Sequence, residues 1–140
     1  MSDDRERAAL TWLAYALGDL DASRSRRGQP QRPRIVGFNA QQAVEKALKA
    51  AIILEGEEPP RTHDLDELRN RLPGTWRVTK RHPHLAGLSG FAVEVRYPDD
   101  MTPVTPIQAA TGVRQAAAVV RSIREDFARR GLDTSGLKPE

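Results

Sequence analysis

Apolar residues recur at helical spacing along most of the chain. Between Asp4 and about Ala22, Leu10, Leu13, Ala14, Leu17 and Leu20 fall at steps of three and four, with Trp12 and Tyr15 beside that stripe. The spacing predicts an amphipathic helix. The run Ser23-Arg24-Ser25-Arg26-Arg27-Gly28-Gln29-Pro30 is polar and interrupted by Gly and Pro, which predicts a loop. A second helix is expected from Asn39 to about Glu55. Asn39 and Gln42 suit a reciprocal cap with Phe38 as its staple, and Val44, Ala47, Leu48, Ala51 and Ile52 form the apolar face. Gly56 and then Pro59-Pro60 stop it.

Thr62 or Asp64 then caps a short helix whose Leu65, Leu68 and Leu72 face inward, ended by Pro73-Gly74, and a loop with Trp76 follows. Pro83, Leu85, Leu88, Phe91, Ala92 and Val95 predict a fourth helix over 83–96. It is expected in spite of Gly87 and Gly90, each of which costs about 1 kcal/mol inside a helix. The last helix carries the fullest signals: Thr105 as cap, Pro106 in the first turn, Gln108 to complete a capping box, and a continuous run to Arg130 before Gly131. No segment alternates with period two for long enough to argue a sheet. The expected fold class is therefore all-α, an up-and-down bundle of four to five helices over residues 1–131, with a frayed tail over 132–140.

Composition narrows the chemistry mainly by exclusion. Among 140 residues there is no cysteine, which removes disulfides, thiolate nucleophiles, zinc-thiolate sites and iron–sulfur clusters. No apolar stretch reaches the roughly 18 residues of a membrane span, and the charged start MSDDRERAAL is unlike a signal peptide. A cytoplasmic protein without a membrane partner is expected. The net charge of +3 is unevenly distributed: residues 24–34 hold five arginines and no acid, and residues 69–84 hold five bases and no acid. If short loops join antiparallel helices, both stretches come to one end together with Arg129 and Arg130, while Glu55–Glu58 and Asp99-Asp100 come to the other. Arg24, Arg26, Arg27, Arg32, Arg34, Arg69, Arg71, Arg77, Lys80 and Arg81 would then offer a basic end to a nucleotide or RNA, with a plain solvated surface as the equal alternative.

On the second helix, Gln42, Glu45, Lys46 and Lys49 form one polar stripe in which Glu45 and Lys49 are spaced to pair. An exposed face laced by such pairs is the plain alternative. His63, between Arg61-Thr62 and Asp64-Leu65, suits capping or packing before catalysis. His82 and His84 flank Pro83, a spacing that holds a metal only with further ligands, and none is identifiable. No metal site and no cofactor is expected. The nucleophile elbow, the phosphate loop and the dinucleotide fingerprint are all missing.

The segments Phe38-Asn39-Ala40-Gln41-Gln42-Ala43-Val44-Glu45-Lys46-Ala47-Leu48-Lys49-Ala50, Thr62-His63-Asp64-Leu65 and Arg96-Tyr97-Pro98, in that order and spacing, resemble the HEPN domain family of prokaryotes over residues 5–130. The resemblance implies a bundle of four or five helices, commonly a homodimer. It also implies action beside a minimal nucleotidyltransferase in two-gene modules of toxin–antitoxin kind, with nucleotide binding in some members. Many members are metal-independent ribonucleases that use an Arg followed after four to six residues by a His, near the start of the final long helix. There the His moves a proton at a 2′-hydroxyl or leaving oxygen and the Arg holds the phosphate. Arg96 stands where that Arg is expected, but the slots beyond it lead to Met101, Thr102 and Pro103. Arg77 has the right spacing to His82 and His84, in a segment that precedes the fourth helix.

The resemblance thus implies a non-catalytic module that binds a nucleotide or a nucleotidyltransferase partner. Its matching positions are Gln42, Glu45, Lys46, Lys49, His63, Asp64, Arg96 and Tyr97. The alternative is an RNA-cleaving toxin that uses His63, or Arg77 with His82 or His84, across a dimer groove.

Overall fold

A computed structural model describes residues 3–24, 31–92 and 103–140. Three long helices make the frame. α1 spans Asp3–Ser23, with Asp3, Asp4 and Glu6 in its first turn, where negative charge complements the helix dipole. Leu13, Leu17 and Leu20 are buried along its inner stripe. α2 spans Pro33–Leu54 and begins well before Asn39, so the expected start is corrected. Pro33 occupies the first turn with its φ already suited to a helix, and Val36 and Ala40 extend the buried face upstream. Burial on that continuous face outweighs the capping signal at Asn39, and Phe38 is 44% exposed instead of stapling a helix start.

α3 spans Leu65–Asn70 and is capped by Asp64, whose side chain accepts from the Glu67 N–H at 3.2 Å. The segment expected to be a plain loop around Trp76 continues into one turn of helix, α4, over Val78–Arg81. The expected fourth helix is not continuous. It is reduced to α5 over Ala86–Ser89 and a 3₁₀ turn over Gly90–Ala92, and residues 93–96 lie outside the described residues. The two glycines weaken the helix, and the ring of Phe91 finds its place against α2 instead. A Cβ at Gly37 would lie 2.6 Å from that ring, and one at Gly112 3.1 Å from it, so α2 and α6 both leave it room. α6 spans Pro106–Arg129 with the capping box complete: Thr105 accepts from the Gln108 N–H at 3.1 Å and Gln108 accepts from the Thr105 N–H at 3.0 Å. Gly131, at φ 88°, takes the left-handed turn that ends it.

The result is an all-α bundle in which α2 is central, packed on α1 and on α6. α1 and α2 form an antiparallel hairpin, with Arg5 near the start of α1 lying over Gly56 just beyond the end of α2. The three short helices carry the chain back, so α6 runs parallel to α2. Their first turns share one cavity, and at their far ends Arg130 lies 3.8 Å from Glu55.

That direction overturns the expected separation of charge. Arg129 and Arg130 sit at the Glu55 end, and three of the five bases of the second stretch are matched with acids: Arg69 with Asp66, Arg77 with Asp126, and Arg81 with Glu125. Arg26, Arg27, Asp99 and Asp100 lie outside the described residues.

The tail is not frayed. Arg124 donates to the carbonyls of Thr134, Leu137 and Lys138 and to the Glu140 carboxylate, and Leu137 packs against the core. One largely buried guanidinium thus supplies the donors that hold an irregular segment, a role that no local pattern announces.

Candidate functional site

Helical spacing puts Gln41, Glu45 and Lys49 one turn apart on the same side of α2. The segment from Glu57 to Asp64, stiffened by Pro59-Pro60 and anchored by the Asp64 cap, lays His63 across them. Glu45 is the centre: its side chain is only 6% exposed. Its Oε1 accepts from Gln41 Nε2 at 3.1 Å and lies 2.7 Å from His63 Nδ1, and its Oε2 pairs with Lys49 Nζ at 3.1 Å. Gln42 adds a further link by donating to Gln41 Oε1 at 2.7 Å. Burial alone would raise the Glu45 carboxyl. Hydrogen bonds from His63, Gln41 and Lys49, with the Lys49 charge, outweigh that and hold it below the ordinary 4.5. Glu45 is therefore an ionised buried acceptor at neutral pH.

The His63 side chain is 70% exposed. With Nδ1 engaged by the carboxylate, Nε2 has no protein hydrogen-bond partner among the described residues. A carboxylate that orients an imidazole in this way is a familiar support for proton transfer.

Lys49 also stands in the wall of a cleft of about 480 Å³ between α1 and the 57–61 segment. Trp12, Ile53, Glu57, Glu58 and Arg61 line the rest of it. The cleft combines an aromatic surface, two cations and two carboxylates.

The other expected site residues divide clearly. Lys46 pairs with Asp19 at 2.6 Å and ties α2 to α1, and Asp64 acts as the α3 cap. Arg96 and Tyr97 lie outside the described residues. Arg77 is not assembled with either nearby histidine. Its backbone N–H donates to Asp126 Oδ2 at 2.8 Å and its Nε lies 3.8 Å from Oδ1 of the same carboxylate, which also takes Arg129 at 3.2 Å. Burial, then the Arg81 charge, hold the His82 imidazole below its ordinary range. His82 and His84 contribute their backbone carbonyls, to Arg69 and Gln115.

Two residues went unnoticed in the sequence. Gln41 is fully buried and its spacing to Glu45 was readable on the helix. Asp126, 1% exposed, was not readable, because its partner Arg77 lies 49 residues away. Among the described residues no group of three or more metal-ligating side chains comes together, and no helix is long and apolar enough to cross a membrane.

Residues 9–126 match the HEPN domain, and the chain belongs to the HEPN domain family. It is similar to a protein solved by crystallography, TT1696 from Thermus thermophilus, with a TM-score of 0.71 and 25% sequence identity. The likeness covers 84% of this chain and 96% of that one. No curated relative matches the chain.

Proposed function

We propose that this HEPN-domain protein is a dimeric binding module that takes a nucleotide and acts with a minimal nucleotidyltransferase in a toxin–antitoxin-like pair. The observation that carries the reading is Lys49: its ammonium is held by a buried, ionised Glu45 and stands in the wall of a cleft that also presents Trp12 and Arg61. Phosphate is matched by the two cations, and a base is matched by the indole face, where stacking contributes about 1–3 kcal/mol. Glu57 and Glu58 can accept from amino groups on the base. Tyr15, Ile35 and Phe38 are exposed on α1 and α2, and these apolar side chains support a second copy docking there.

Titration of the purified protein with ATP and GTP tests the binding. Saturation below about 1 mM is expected, with Lys49→Ala weakening it about tenfold or more at unchanged helix content. No saturation at millimolar nucleotide, or an unaffected Lys49→Ala variant, would exclude this form of the idea.

One contact favours a second reading as an RNA-cleaving enzyme, the 2.7 Å link between His63 Nδ1 and Glu45. It predicts metal-independent RNA cleavage that falls by about 100-fold or more in His63→Ala. The same cleavage would persist in His82→Ala and His84→Ala. Equal cleavage by all three variants would reject the His63 mechanism.

A further inference from the structure

We propose that the cavity where the end of α1 meets the first turns of α2 and α6 binds an aliphatic anion, a short alkyl or acyl chain ending in phosphate or carboxylate. This site lies at the opposite end of α2 from Lys49 and does not depend on the nucleotide reading. The cavity measures about 580 Å³, within the range of small-molecule sites. Val36, Ala109, Ala110 and Val113 supply apolar walls, and Arg24 and Arg114 stand at its polar margin. Among the described residues no acid lines it.

Several arginines elsewhere in the fold are matched with acids. Arg69, Arg77, Arg124 and Arg129 each meet a carboxylate. Among the described residues neither Arg24 nor Arg114 does, and the Arg114 guanidinium contacts the Thr111 hydroxyl at 3.3 Å. The first turns of α2 and α6 contain no acid that would neutralise them.

The lining selects its ligand by exclusion. A cation is repelled by the two guanidinium groups, and a bare inorganic anion leaves the apolar walls unused. A nucleobase edge would find only Ser23 and Gln31 as neutral polar partners, and both already bond the backbone, Ser23 to Leu20 and Gln31 to Ala22. An alkyl chain with one anionic head satisfies both parts, with the chain on the walls and the head on the arginines.

Calorimetric titration of the full chain with octyl phosphate, octanoate, octanol and inorganic phosphate tests this. One or both amphiphilic anions should saturate a single site below about 1 mM, at least about tenfold more tightly than octanol or inorganic phosphate. Binding of octyl phosphate alone assigns a phosphate head, and binding of octanoate alone a carboxylate. The double variant Arg24→Ala/Arg114→Ala should weaken binding about tenfold or more. Ala110→Trp, at an exposed position of the wall, should block the site, with circular dichroism confirming that both variants fold. The proposal is overturned if neither anion saturates at millimolar concentration, if octanol binds as tightly, or if the double arginine variant binds unchanged.

Discussion

Replacing Glu45 by alanine is expected to destabilise the protein by about 3 kcal/mol, because it removes one partner of a largely buried ion pair and leaves the other in place. Lys49 is 14% exposed and would keep its charge without the carboxylate that compensates it. Gln41, fully buried, would lose its acceptor, and His63 would lose the contact that orients it. The lower part of the usual range for such losses applies, because Lys49 borders an open cleft where water can reach it.

The same variant has a defined pH signature. The native Glu45 carboxyl lies below its ordinary 4.5, so the unfolded chain takes up this proton first as the pH falls. Its stabilisation is fully present above about 4.5 and is lost as the pH drops through the lower native value. The stability gap between the native protein and Glu45→Ala, measured by urea denaturation, should be constant near neutrality and narrow below about pH 4.5. A gap that widened in acid would contradict the assigned role of the carboxylate.

Trp76→Ala is expected to cost about 4 kcal/mol, the range for removing a large aromatic side chain from a core. Trp76 is fully buried although it lies between two short helices. Its ring meets Phe127 edge-on at 5.8 Å, and the Arg130 guanidinium sits 3.8 Å from its centroid. Its indole N–H donates to Glu55 at 2.6 Å. One side chain therefore joins the ends of α2 and α6 and fixes the path of the chain between them. Trp76→Phe should retain most of the packing and lose only about 1–2 kcal/mol, chiefly the hydrogen bond and some area. Equal losses in the two variants, compared by thermal and urea melting, would show that the packing of the ring is not the source of the effect.

Local signals were sufficient where they agreed. α1 and α6 combine apolar periodicity with favourable ends, and both match expectation nearly to the residue. α2 shows how two local signals can compete. Asn39 looked like a cap, but Val36 and Ala40 belong to the same buried face, and burial extends the helix back to Pro33. The 83–96 segment departed from expectation for a related reason: Gly87 and Gly90 lower helix stability enough for the seating of Phe91 to decide the backbone.

By residue spacing the candidate site was legible only along one helix, and the family resemblance alone grouped His63 with it. Glu45 and Lys49 pair at helical spacing, as their positions required. That His63 would be the residue to complete the cluster was not available from spacing, since it reaches Glu45 across 18 residues through a proline-stiffened turn. Lys46, equivalent to its neighbours by charge alone, is committed to Asp19 because of how α1 lies on α2.

Helix-forming periodicity and caps are local properties, and they sufficed for the all-α class, while the family was legible from three short segments, 38–50, 62–65 and 96–98, in their order and spacing. Long-range geometry settled the rest. The first basic stretch fails to share an end with Arg129 and Arg130 because α6 descends beside α2, a direction set by the packing of the short helices and Trp76, whereas Arg77 of the second stretch meets Arg129 at Asp126. The same geometry gives Arg77 to Asp126, gives His63 to Glu45, and leaves Arg24 and Arg114 beside a cavity that no acid lines among the described residues. Charge in the sequence counts ions, and only their neighbours in the fold determine which of them remain available.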